Sequence, residues 1–140
     1  MQYILREFQL TQDYPAVYAL WQHSGPGIQI RRSDEPGEIA KKVERDPDLF
    51  VVADVDGIVV GTVIGGFDGR RGMMYHLVVA PEYRKQGIGI ALMEELERRL
   101  QARGCLRYYC LVTKDNLPAL HFYEAHGWQS MDLFALGKDL

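Results

Sequence analysis

The chain has 140 residues, of which 47% are apolar and 25% charged, with a formal net charge of −3. These proportions fit one soluble globular domain that buries its own core; they exclude a largely disordered chain and a small fold that must be stapled by metal or disulfides. The weakly acidic balance argues against general nucleic-acid binding, which needs a basic surplus, and no run approaches the roughly 20 apolar residues that span a bilayer.

Glu7 interrupts the opening apolar run, so the N-terminus does not read as a signal peptide. The expectation is a cytoplasmic protein with neither nucleic acid nor membrane as partner. Cys105 and Cys110 lack the spacing of a redox or zinc pair and are expected to be reduced, packed thiols.

In chain order, residues 3–8 read as a short strand, and Thr11 or Asp13 can cap a helix reaching His23, with Val17, Leu20 and Trp21 on its apolar face. Ser24-Gly25-Pro26-Gly27 breaks the pattern. Ser33, Asp34, Glu35 and Pro36 mark a second helix start, with acids in the first turn, and that helix ends near Asp46-Pro47. Residues 49–55 and 58–67 are strands joined at Asp56-Gly57, a two-residue hairpin signal. After a polar turn at 68–72, residues 73–80 form another strand.

A helix over 87–103 carries Ile88, Leu92, Leu96 and Leu100 on one stripe and ends at Gly104. A strand at 106–113, a helix from Asn116 to His126 and a last strand at 128–136 complete the pattern. The order β-α-α-β-β-β-α-β-α-β predicts an α/β (α+β mixed) single domain over 1–140, with a mixed, mostly antiparallel sheet flanked by helices. The apolar last strand leaves a homodimer open.

The segment richest in chemistry is the strand-loop-helix at 77–92. A helix start offers unpaired N–H groups and partial positive charge. Gly87 and Gly89 let a phosphate approach those groups, and Arg84 and Lys85 add cationic charge. A phosphorylated ligand is therefore expected. The third glycine of a dinucleotide fingerprint is missing, and so is the lysine-hydroxyl pair of a P-loop.

Arg84-Lys85-Gln86-Gly87-Ile88-Gly89 resembles the Q/R-x-x-G-x-G/A coenzyme A motif of the GNAT family of N-acetyltransferases. Asn116-Leu117-Pro118-Ala119-Leu120-His121-Phe122-Tyr123-Glu124-Ala125-His126-Gly127-Trp128 resembles that family's second signature, N-x-x-A-x-x-F-Y-x-x-x-G-W/F. Residues 61–69 are also similar to those of a small bacterial member.

The resemblance implies transfer of an acetyl group from acetyl-CoA to a small amine, an amino acid or a protein amine. It implies a pantetheine arm along Leu77, Val78 and Val79, and a pyrophosphate on the N–H groups of Arg84, Lys85, Gln86, Gly87, Ile88 and Gly89. Asn116 contacts the coenzyme, and Tyr123 protonates the departing thiolate.

The base is more open. Some family members carry a glutamate early on the strand before the loop; here stand Met73, Met74, Tyr75 and His76. His76 has a suitable intrinsic acidity, and Tyr75 or a water chain could serve instead. Without the glutamate, a non-catalytic acetyl-CoA sensor or partner module stays open as the alternative. No base stands at a useful spacing from Cys110, and His121 and His126 are on different helix faces, so no metal is expected. Residues 25–32 and 68–72 are expected to shape the acceptor side, with Arg31, Arg32, Arg70 and Arg71 suited to an acidic acceptor.

Overall fold

The computed structural model describes residues 2–25 and 27–140; Pro26 of the predicted breaker lies outside them. The elements are β1 (Ile4–Glu7), α1 (Leu10–Gln22), α2 (Pro36–Arg45), β2 (Phe50–Val55), β3 (Ile58–Phe67), β4 (Gly72–Val79), α3 (Ile88–Ala102), β5 (Tyr108–Tyr109) and α4 (Leu117–Ala125). Short 3-10 turns at Arg32–Asp34, Pro47–Leu49 and Pro81–Tyr83 join them. The chain divides into two compact units, Met1–Cys110 and Leu111–Leu140.

In the first unit the Asp56-Gly57 pair acts as predicted. Both residues have positive φ, 52° and 85°, the left-handed pair that a two-residue hairpin needs to match strand twist. The five strands lie in the order β1-β2-β3-β4-β5. All neighbours are antiparallel except β4 and β5, which run parallel.

Two predicted strands need correction. The strand expected over 106–113 is reduced to Tyr108–Tyr109, and the one expected over 128–136 does not form among the described residues. β-propensity records how well a side chain suits a half-buried ladder and cannot supply the neighbouring strand. The second helix also starts later than its acids suggest: Asp34 closes a 3-10 turn, and α2 begins at Pro36 with Glu35 at its N-cap.

β2 is buried along its whole length, because helices cover both faces of the sheet. On one face Phe50, Val52, Ile64 and Val78 pack with Val17 and Trp21 of α1 and Ile39 of α2. On the other face α3 lies close to β3. A Cβ at Gly61 would stand 3.0 Å from Leu92 Cδ1, and one at Gly65 only 2.4 Å from Leu96 Cδ1. These glycines are the grooves that receive the leucine ridge. Gly65→Ala should therefore force α3 outward and cost roughly 1–3 kcal/mol, read as a lower urea midpoint at unchanged m-value.

Asp46, 1% exposed, ties the C-terminal end of α2 to that of α3. It accepts from Lys42 Nζ at 2.7 Å and from Arg103 at 2.8 Å. Burial alone would raise its carboxyl; the hydrogen bonds from Lys42 and Arg103 outweigh it and hold the group below the ordinary 3.8. A carboxylate depressed in the folded state contributes stability that is fully present above its unfolded value and lost as pH falls through the folded one. Asp46→Asn should thus cost roughly 1–3 kcal/mol at neutral pH and lose less than the parent below about pH 4. Thermal melts at pH 7 and pH 3 would show it.

In the second unit α4 starts where the sequence predicts: the Asn116 side chain accepts from Ala119 N–H at 3.3 Å. It ends at Gly127, with φ of 92°, where Trp128 N–H donates back to the Tyr123 carbonyl at 3.0 Å.

Candidate active site

β4 is regular at both ends and broken in its middle. Its register with β3 passes from Thr62↔Val78 to Ile64↔Tyr75, so β4 carries one residue more than β3 across that interval. The extra residue produces a bulge, and His76 within it has φ of 46°. Bulges re-aim side chains and collect beside functional sites. A non-glycine residue in the left-handed region is uncommon enough to ask what holds it there.

Here the hold is a chain of hydrogen bonds. Trp21 Nε1–H donates to Thr62 Oγ1 at 3.0 Å, and Thr62 Oγ1–H donates to the His76 carbonyl at 2.9 Å. Thr62 is wholly buried, and its hydroxyl spends both capacities on fastening the bulge.

The bulge turns the His76 imidazole toward α1 and the turn before α2. Its Nε2 lies 3.0 Å from both carboxylate oxygens of Asp34, and its ring is 4.6 Å from that of Trp21. Asp34 is 5% exposed. It also accepts from Arg31 N–H at 3.0 Å, while its carbonyl accepts from the Tyr14 hydroxyl at 2.7 Å. Burial pushes the Asp34 carboxyl up, yet the hydrogen bonds from His76 and Arg31 prevail and hold it below the ordinary carboxylate range. The sequence offered Asp34 only as an acid in a helix start; nothing local distinguishes it from Glu35. Its partner stands 42 positions away.

Beyond the bulge the far edge of β4 is open. β5 pairs only with Gly72 and Met73, so Leu77, Val78 and Val79 have no strand on that side among the described residues. The Val79 carbonyl accepts from Arg84 Nε at 3.0 Å, which pins the following loop to the strand end. Lys85 and Gly87 then take positive φ, 62° and 86°. α3 opens with no side-chain cap. Its first internal bond is Ala91 N–H to the Gly87 carbonyl, at 3.0 Å, so the N–H groups of Ile88, Gly89 and Ile90 have no acceptor within the helix. A Cβ at Gly87 would meet nothing within 4 Å, which leaves the approach clear.

Residues 84–89 and the open edge at 77–79 are therefore contiguous, with His76 at the start of that edge. In the second unit, Asn116 caps α4 and the Tyr123 ring packs 5.3 Å from Trp128 and 5.4 Å from Phe122. Burial pushes the Cys110 thiol up to about 11, so it is protonated at neutral pH and unsuited to attack.

Residues 11–128 match the Acetyltransferase (GNAT) family. The chain belongs to the GNAT family of acetyltransferases. It is accordingly an acetyl-CoA-dependent acyltransferase. An acetyltransferase of Pectobacterium atrosepticum is 41% identical over 129 residues, which cover 91% of this chain and 89% of that protein. Among solved structures, Ard1 from Thermoplasma volcanium has a TM-score of 0.78 at 25% identity, covering 91% of this chain and 82% of its own. The PaiA N-acetyltransferase of Thermoplasma acidophilum, solved with coenzyme A, has a TM-score of 0.84 at 20% identity, covering 96% and 94%; at that identity it speaks for the fold alone. In this GNAT chain β4 opens without a glutamate, and half-buried His76 with its buried partner Asp34 stands in that neighbourhood.

Proposed function

We propose that this GNAT enzyme moves an acetyl group from acetyl-CoA to a primary amine by direct attack, with His76 as proton acceptor and Tyr123 as proton donor. The observation that carries the reading is the open β4 edge running into an uncapped helix start, where Gly87 leaves the approach clear. It offers backbone groups to an extended amide-bearing arm and N–H groups to a pyrophosphate.

In this reading Leu77, Val78 and Val79 bind the arm through their main chain. The loop from Arg84 through Lys85, Gln86, Gly87 and Ile88 to Gly89 binds the pyrophosphate, and Asn116 contacts the coenzyme. A lysine-like amine, with pKa about 10.4, is almost wholly charged at neutral pH and must lose a proton before it attacks. His76 takes that proton. The amine nitrogen bonds to the thioester carbon, and a main-chain N–H near Val79 stabilises the oxyanion. The carbon–sulfur bond then breaks, the sulfur leaves with the electron pair and takes a proton from Tyr123, and the nitrogen, now an amide, gives up its second proton to restore the Tyr123 hydroxyl. Arg31, Arg32, Arg70 and Arg71 favour an acceptor that also carries a carboxylate.

The test is a thermal shift with acetyl-CoA, followed by free-thiol release against a panel of polyamines, amino acids and peptides with free N-termini. Ligand at 100 times its dissociation constant should stabilise by about 2.7 kcal/mol, several degrees for a chain of this size. Amine-dependent thiol release should accompany it. Absence of the shift would sink the coenzyme site, and a shift without release by any amine would remove the acceptor class.

A further inference from the structure

We infer that Asp34 is a positioning residue for the acetyl transfer: it holds the proton of His76 on Nε2 and so presents Nδ1 as the atom that deprotonates the attacking amine. The inference rests on the proposed reading of His76 as proton acceptor and goes beyond it in naming the atom and the residue behind it.

Three observations converge. Both Asp34 oxygens lie 3.0 Å from Nε2, and a carboxylate in that place is an acceptor only, so the shared proton belongs to the imidazole. Nδ1 has no hydrogen-bond partner among the described residues, and no fully buried side-chain nitrogen or oxygen among them lacks one; Nδ1 is therefore reached by solvent. Finally, the ring is held in place: Trp21 lies against its face, the bulge sets its backbone, and Asp34 is itself held by Arg31 N–H and the Tyr14 hydroxyl. A purely structural histidine needs one satisfied nitrogen. This one is oriented by its second-nearest neighbours and leaves the other nitrogen open, the logic by which a carboxylate fixes the tautomer of a working imidazole.

The proton balance is simple. The ammonium of the acceptor gives one proton to Nδ1 and becomes the neutral nucleophile. The imidazolium so formed faces the Asp34 carboxylate, which stays ionised, and returns the proton to water after acetyl transfer. Among the described residues Asp34 is the charged side chain bonded to the ring; the Tyr14 hydroxyl donates to the Asp34 carbonyl, and Trp21 does not titrate.

The experiment combines nitrogen-15 histidine spectra of the full chain with kinetics of Asp34→Asn and His76→Gln. The parent spectrum should show the proton of neutral His76 on Nε2; a proton on Nδ1 overturns the inference even if no variant folds. The amide oxygen introduced by D34N still accepts from Arg31 N–H, so this variant should remain folded and bind acetyl-CoA as the parent does. It should lose at least about tenfold in kcat/KM with the amine that the panel selects. In its own nitrogen-15 spectrum the proton of neutral His76 should no longer be confined to Nε2, since the acceptor that fixed it is gone. A D34N enzyme with parental rate beside an inactive H76Q sinks this inference and leaves the reading of His76 intact. An H76Q enzyme as active as the parent removes both.

Discussion

Tyr123→Phe should lower kcat by about 10²–10⁴-fold, the usual contribution of a positioned general acid, while leaving acetyl-CoA affinity unchanged. The substitution isolates the hydroxyl. The ring is packed between Phe122 and Trp128, and phenylalanine keeps that packing because only one oxygen is lost. α4 therefore keeps its C-terminal turn, where Trp128 N–H returns to the carbonyl of residue 123 whatever side chain stands there. A departing thiolate without a donor is a poorer leaving group, so the barrier at carbon–sulfur cleavage rises and coenzyme binding does not change. Stopped-flow thiol release and calorimetric titration separate the two quantities. Parental kcat in the variant would remove Tyr123 from the chemistry; a parallel loss of affinity would recast it as a packing residue of the coenzyme site.

The parts of the fold written in local pattern were legible in the sequence. The Asp56-Gly57 hairpin, the leucine stripe of α3 and the Asn116 cap each depend on residues a few positions apart, and each stands where the pattern put it. The loop at 84–89 and the helix start after it were legible for the same reason, since glycines, basic residues and helix start are contiguous. What escaped depended on distant partners. The sequence over 106–113 suits a strand, yet only Tyr108–Tyr109 finds β4; propensity carries no address for the neighbouring strand. The Asp34–His76 pair was hidden more deeply. It requires a one-residue bulge in β4, a tertiary hydrogen bond from Thr62 to hold it, and a 3-10 turn that brings an aspartate across. None of these leaves a periodicity to read.

Two glycines with nearly the same φ and different surroundings give the sharpest test of the proposed coenzyme loop. Gly87 precedes α3 with φ of 86°, and Gly104 follows it with φ of 88°; a Cβ at either meets nothing within 4 Å. Alanine at either position therefore carries the same left-handed penalty of about 1–2 kcal/mol and no clash, so Gly87→Ala and Gly104→Ala should lower Tm alike. Their effects on acetyl-CoA should diverge. At Gly104 the strain relaxes at the helix end opposite the proposed site. At Gly87 it relaxes by turning the peptide planes that aim the N–H groups of Ile88, Gly89 and Ile90, and the new methyl group sits in the approach to them. Roughly tenfold to hundredfold weaker binding is expected for G87A alone, with each tenfold equal to about 1.4 kcal/mol of lost contact. Calorimetric titration of both variants decides it. Equal affinities in G87A and G104A would mean that the pyrophosphate does not rest on this helix start, however well the motif matches.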